Sequence, residues 1–227
     1  MEDHITIPHT PFPWVVASVD SRKAWEKAQT AEAQEFDLLE LRLDLLHPVV
    51  LMPEELEHCP HPILITARAP SEGGNPAMNE QTRFALLKKY QAQANWIDLE
   101  LKTCQARPER VKDFQAAGLI VSYHDFHGTP KKDEFKSLLE QALEFQPDII
   151  KIACKTPHET EVELLLEILA GWKTLRPSLA LMGMGACGRS SRLRLAKAGS
   201  ALNYGYIETP LVDGQWPAGE LRRAIHE

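Results

Sequence analysis

A lysine set in an apolar run is the most reactive feature of this sequence. Lys151 stands between Ile149-Ile150 and Ile152-Ala153. A buried amine sheds its proton more readily, and nearby positive charge from Arg42 and Arg68 would act in the same direction. A neutral amine attacks a ketone and forms an imine. His124 is the natural proton shuttle beside it, because imidazole alone titrates unaided near neutrality. Glu72 could orient that imidazole from a loop. Its neighbours Gly73 and Gly74 would permit close backbone approach or a mobile loop. Such chemistry makes metals and nucleotide cofactors unnecessary, and no cofactor is expected. The competing readings are plain: a snorkelling lysine at a strand end, a structural histidine and an ordinary glycine turn.

Other chemistries fit less well. The run Met182-Gly-Met184-Gly-Ala-Cys-Gly188-Arg-Ser-Ser-Arg192 ends a strand and opens a helix. Helix N-termini attract anions, and Arg192 would reinforce this. Met182 and Met184 could equally be core. His58-Cys59-Pro60-His61 has ligand-type residues but no second half, and His124 and His127 give no zinc spacing. No nucleophile elbow for acyl transfer is present.

The elements that must position these residues alternate regularly. Strands are expected near Trp14–Val19, Asp37–Asp44, Pro62–Arg68, Trp96–Leu101, Gly118–Asp125, Asp148–Cys154, Leu179–Gly185 and Ala201–Ile207. Each gap holds a plausible helix. Asn79–Ala94 carries Phe84, Leu87 and Tyr90 at helical spacing, with Asn79 as N-cap. Thr156–Trp172 carries Val162, Leu165, Leu166 and Leu169 on one face, with Thr156 as cap and Pro157 at the first helical position. Lys131–Phe145 and Ser190–Lys197 are similar. Eight strand–helix units in 227 residues predict an α/β fold, a single-domain (β/α)₈ TIM barrel over residues 1–227. The competitor, an open doubly wound sheet, would show glycines after its first strand. Here that strand runs into Ser18-Val19-Asp20-Ser21-Arg22.

Parity within the strands sets the site. Successive strand residues face opposite sides. Leu39, Leu41, Leu43 and Leu45 share one parity, and Glu40, Arg42 and Asp44 the other. Thr66 and Arg68 oppose Ile65 and Ala67. Asp98 and Glu100 oppose Ile97 and Leu99. Ser122 and His124 oppose Val121 and Tyr123, and Ile150 and Ile152 oppose Lys151. An antiparallel sheet with one wet face would explain any single strand but not the helix-sized segment between each pair. With helices outside, the polar parity must point into the barrel. Glu40, Arg42, Asp44, Arg68, Asp98, Glu100 and Lys151 sum to −1 with His124 neutral. Unpaired buried charges are costly, so these residues must pair with one another and with a ligand. Most fall late in their strands, at the mouth where barrel enzymes work. A polar substrate site is favoured over a purely structural ion network.

Composition narrows the class further. Hydrophobic residues make up 44% and charged residues 25%, which excludes a disordered or collagen-like chain. The net charge of −7 argues against duplex nucleic acid as a partner. No stretch approaches the roughly 18 apolar residues of a membrane span. Met1-Glu2-Asp3-His4 is acidic with no apolar run behind it, so no signal peptide is expected. Cys59, Cys104, Cys154 and Cys187 form no CxxC pair and suggest reduced thiols.

Taken together, these segments resemble the type I 3-dehydroquinate dehydratase family, imine-forming enzymes of the shikimate pathway. The resemblance covers Glu40-x-Arg42-x-Asp44, Thr66-x-Arg68-x-x-x-Glu72-Gly73-Gly74, Ile97-Asp98-Leu99-Glu100, Ser122-x-His124-Asp125-Phe126, Lys151-Ile152-Ala153, Met182-x-Met184-Gly185 with Ser191-Arg192, and Gly214-Gln215. It implies a (β/α)₈ barrel, usually dimeric and cytosolic, acting on 3-dehydroquinate. It implies that Lys151 forms the Schiff base, that His124 moves protons, and that Glu72 partners His124. Ser18, Glu40, Arg42 and Arg68 would contact substrate oxygens, and Arg192 the carboxylate. Gln215 would close over the ring, with Met182 and Met184 as apolar lining. The family often has Ser-Ala-Pro-Gly-Gln where this chain has Leu211-Val212-Asp213-Gly214-Gln215, so Leu211 replaces a substrate-contacting serine. The segment before the first strand is short, which would reduce any hairpin closing the barrel floor. The alternatives are another imine-forming barrel lyase of the aldolase type and a non-catalytic ligand-binding barrel.

Overall fold

A computed structural model describes residues 13–30, 35–48, 51–114, 117–172 and 175–227. The segment before the first strand, with the expectations that fall on it, lies outside the described residues. In chain order the elements are β1 (Trp14–Val19), α1 (Arg22–Thr30), β2 (Leu38–Arg42), α2 (Leu43–Leu46), α3 (Pro53–Glu57), β3 (Ile63–Thr66), α4 (Glu80–Tyr90), β4 (Trp96–Glu100), α5 (Leu101–Ala106) and α6 (Pro108–Val111). They continue as β5 (Gly118–Asp125), α7 (Lys132–Leu143), β6 (Ile149–Lys155), α8 (Glu159–Trp172), β7 (Ser178–Met184), α9 (Gly188–Ala198), β8 (Leu202–Tyr206), β9 (Trp216–Pro217) and α10 (Ala218–His226).

All strand pairs are parallel, in the order β7-β6-β5-β4-β3-β2-β1-β8-β9. Helices bridge the crossovers, as parallel pairing requires. The two ends of the eight-strand run meet through a side chain. Ser200 Oγ accepts from Leu181 N–H at 3.0 Å and donates to the Leu181 carbonyl at 3.1 Å. Ala201 N–H reaches the Leu179 carbonyl at 2.9 Å. The short β9, not foreseen from sequence, adds onto Gly205 and Tyr206 of β8.

The parity argument describes the two faces. Val15, Ala17, Leu39, Leu41, Ile65, Ile97, Leu99, Val121, Ile150, Ile152 and Leu181 form the outer core with the helices. Val16, Leu38, Leu64, Trp96, Ile120, Ile149, Ala180 and Leu202 belong to a separate inner cluster. Two residues further along several strands stand Ser18, Glu40, Thr66, Asp98, Ser122 and Lys151, all buried. The barrel is thus apolar at its base and ionic above. Burying the apolar layer stabilises the fold by about 25 cal/mol per Å².

Two expected details differ. Asp44 lies in α2 rather than in β2, because Leu43 already opens that short helix. Thr156 does not cap α8, which starts at Glu159. Its hydroxyl is drawn instead to the Met184 carbonyl at 3.2 Å. Asn79 does cap α4, accepting from Thr82 N–H at 2.8 Å, and that helix stops at Tyr90.

Candidate active site

Lys151 comes from β6 and is 3% exposed. Its Nζ lies 3.0 Å from Asp98 Oδ2 and 3.8 Å from Glu40 Oε1. It also sits 4.0 Å from the centroid of the Tyr204 ring. Burial lowers its pKa below the ordinary lysine value; Asp98 and Glu40 oppose this, and Arg68 assists it. The expected arginine effect is therefore present from Arg68, but the charges nearest the amine are carboxylates. Asp98 stays well below the usual carboxylate range. Burial alone would raise it, and the charges of Arg68 and Lys151 outweigh that.

His124 comes from β5, one strand away. Glu72 Oε2 accepts from its backbone N–H and lies against its ring Nδ1, each at 3.0 Å. An ionised carboxylate there fixes the proton on Nδ1 and leaves Nε2 as a base. Burial, Arg68 and Lys151 hold His124 well below the ordinary histidine value, so the ring is neutral near pH 7. Burial also pushes Glu72 up to about 7, with Arg68 opposing. Gly73 and Gly74 serve the expected close approach. Gly73 adopts φ +84°, and a Cβ on Gly74 would fall 2.0 Å from the Arg68 carbonyl oxygen.

The other expected residues line the same cavity, of about 370 Å³. Ser18 donates to Glu40 at 2.9 Å, and Thr66 donates to the same carboxylate at 3.0 Å. Arg42 holds Asp44 through Nε and Nη2 at 3.0 and 2.9 Å. Arg68 reaches Asp98 at 2.8 Å, Ser122 at 2.7 Å and Glu100 at 3.3 Å. Met182 and Met184 supply apolar wall, and Gln215 Oε1 accepts from Leu211 N–H at 2.8 Å. All eleven residues singled out from sequence face one space: Lys151, His124, Glu72, Ser18, Glu40, Arg42, Arg68, Met182, Met184, Arg192 and Gln215.

The inward charges divide into two groups. Asp44, Asp98 and Glu100 are not part of the cavity wall. Asp98 and Glu100 join Arg68, Ser122 and Arg83 in an ion network beneath it. Arg192 differs from the other arginines of the cavity wall. It is 3% exposed and, among the described residues, forms no ion pair with a carboxylate. Its Nη1 donates to the Tyr204 carbonyl at 3.1 Å, and its Nε has no partner. Burial alone lowers its pKa to about 10. A buried guanidinium without a counterion is a site for an anion.

Sequence reasoning missed Arg83 and Tyr204. Arg83 lies on a helix, where neither parity nor a motif marks it. Tyr204 lies on β8 at the inward parity of Leu202, and that alternation could have found it. The histidine cluster of the 58–61 segment is absorbed locally. His58 Nδ1 contacts the Glu54 carbonyl at 2.9 Å, and His61 packs on Phe36 with centroids 4.4 Å apart. Among the described residues no group of three or more His, Cys, Asp or Glu side chains is placed to hold a metal ion.

Comparison with known proteins identifies relatives along the whole described barrel. The family model for type I 3-dehydroquinase matches residues 15–227. A 3-dehydroquinate dehydratase of Methanothrix thermoacetophila is 36% identical over 214 residues, which is 94% of this chain and 91% of that protein. The crystal structure of 3-dehydroquinate dehydratase from Geobacillus kaustophilus superposes with a TM-score of 0.78 at 28% identity, covering 94% of this chain and 90% of the other. A type I enzyme from Clostridium difficile, described with covalently modified comenic acid, gives 0.79 at 26% identity, covering 96% and 92%.

Proposed function

The chain belongs to the type I 3-dehydroquinase family, and we propose that its Lys151 carries the reaction as a Schiff base. The reaction is dehydration of 3-dehydroquinate to 3-dehydroshikimate, a carbon–oxygen lyase step. The observation that carries the assignment of roles is the buried amine of Lys151 sharing one cavity with an imidazole whose Nδ1 lies 3.0 Å from the Glu72 carboxylate.

The steps follow from the chemistry of these groups. The neutral Lys151 amine adds to the C3 ketone, and water leaves to give an iminium ion. Asp98 and Glu40 favour this cation by the same fields that favour the ammonium. The iminium withdraws electrons from C2, and His124 Nε2 removes a C2 proton to give an enamine. The enamine expels the C1 hydroxyl as water, with the proton returned by His124. Hydrolysis of the conjugated iminium restores the amine. A positioned acid–base group of this kind contributes about 10²–10⁴-fold. Arg192 binds the substrate carboxylate, Ser18, Glu40, Arg42 and Arg68 contact substrate oxygens, and Gln215 closes over the substrate ring. Met182 and Met184 keep water from the imine.

Residues 1–227 serve as one catalytic domain with a second copy as partner, in the cytoplasm. The cytoplasmic placement is supported by four cysteines without a disulfide. No helix among the described residues is long and apolar enough to cross a membrane.

The test is turnover. Absorbance of the conjugated enone should rise when the purified chain meets 3-dehydroquinate. Lys151→Ala should abolish that rise while retaining product binding. Wild-type turnover in Lys151→Ala would refute the assignment.

A further inference from the structure

Tyr204 is 5% exposed and lines the cavity. Its hydroxyl is buried and has no hydrogen-bond partner. Nearly all buried polar groups in native structures are paired, and leaving one unpaired is unfavourable. Two contacts place this residue. The ring face lies under Lys151 Nζ at 4.0 Å, and the Tyr204 carbonyl accepts from Arg192 Nη1 at 3.1 Å. The residue therefore sits between the group proposed to bond the ketone and the group proposed to bind the carboxylate.

Of the hydroxyls lining the cavity among the described residues, that of Ser18 is engaged by Glu40. The segment after β8 contributes Leu211 and Val212, and Gln215 Oε1 is held by the Leu211 N–H. Burial keeps the phenol neutral, its pKa well above the ordinary tyrosine value, so it remains a donor.

We propose that Tyr204 is a substrate-specificity residue whose hydroxyl donates to an oxygen of the bound ligand. The proposal rests on the cavity being the 3-dehydroquinate site.

Tyr204→Phe tests it, since the ring and its contact with Lys151 are kept. The kcat/KM for 3-dehydroquinate should fall about five- to tenfold, as for one net hydrogen bond, and mostly through KM. The ligand-free variant should melt at the same temperature or higher, because an unpaired buried hydroxyl is gone. The rise in melting temperature produced by 3-dehydroshikimate should shrink. An unchanged KM would overturn the proposal. So would a lower melting temperature of the ligand-free variant, which would assign the hydroxyl a structural partner. If the wild-type chain does not dehydrate 3-dehydroquinate, the site assignment fails and this proposal falls with it. If the wild type turns over and Tyr204→Phe matches it, only the tyrosine proposal fails.

Discussion

Lys151 Nζ donates to Asp98 Oδ2 across 3.0 Å, with both side chains almost sealed from solvent. In its protonated form Lys151 is one half of a buried ion pair, and it gives up that proton to act as the proposed nucleophile. Arg68 holds the same Asp98 carboxylate, so the two cations share this acid, with Glu100 beside Arg68 and Glu40 beside Lys151. The arrangement favours a positive charge at Nζ, which the iminium carries, the enamine gives up on proton removal, and the conjugated iminium regains when water leaves.

Asp98→Ala leaves Arg68 and Lys151 facing each other without that compensation. Breaking a buried pair from one side costs about 3–5 kcal/mol. Urea denaturation of this variant should show a loss of that order, together with loss of turnover. An unchanged midpoint would contradict the network described here.

Glu72 ties stability to pH in a defined direction. Its folded pKa of about 7 lies above its ordinary value of 4.5. The folded chain thus keeps a proton that the unfolded chain has released. The stability this confers is fully present below about pH 4.5 and is lost as pH rises through about 7, amounting to up to about 3 kcal/mol. His124 acts oppositely below its ordinary value, since it is neutral when folded and charged when unfolded. Glu72→Gln isolates the first effect. Denaturation at pH 5 and pH 8 should show the variant gaining on the wild type as pH rises. The same variant should lose the limb near pH 7 in its kcat/KM profile.

Arg192 is expected to separate binding from folding. A hydrogen bond to a charged group contributes about 1.5–3 kcal/mol, so Arg192→Gln should raise KM about 10- to 150-fold. The ligand-free variant should be at least as stable as the wild type, because a buried charge without a carboxylate partner has been removed. Calorimetry with 3-dehydroshikimate and a melting curve check both halves. Unchanged product affinity would contradict the assignment.

Arg83 should show the reverse pattern. It anchors α4 to the barrel by donating to the Ala67 carbonyl at 2.6 Å and to Glu100 Oε2. Arg83→Ala should lower stability by about 3 kcal/mol, while KM measured on the folded fraction stays near that of the wild type. A large rise in KM without loss of stability would place Arg83 in substrate binding instead.

These cases show what the sequence could and could not convey. Alternation in β2, β4 and β6 was legible because period-two patterning fixes which side chains share a face. It brought Glu40, Asp98 and Lys151 together without further information. It could not say that Asp98 and Glu100 would be consumed by Arg68 beneath the cavity, since parity assigns a face and not a partner. Arg83 was hidden because a helical arginine carries no periodic mark. Thr156 misled because its cap pattern was sound locally, while the end of β7 offered the Met184 carbonyl. Tyr204 followed the alternation of β8, but an inward tyrosine is ordinary core unless its hydroxyl is seen to be unpaired.

The imine at Lys151 is tested most directly by chemical trapping. The wild-type chain is treated with borohydride in the presence of 3-dehydroquinate, digested, and its peptides are weighed. The account predicts a reduced ligand adduct on the peptide containing Lys151, in the wild type and in His124→Ala, and none in Lys151→Ala. No adduct in the wild type, or one confined to the neighbouring exposed Lys155, would contradict it.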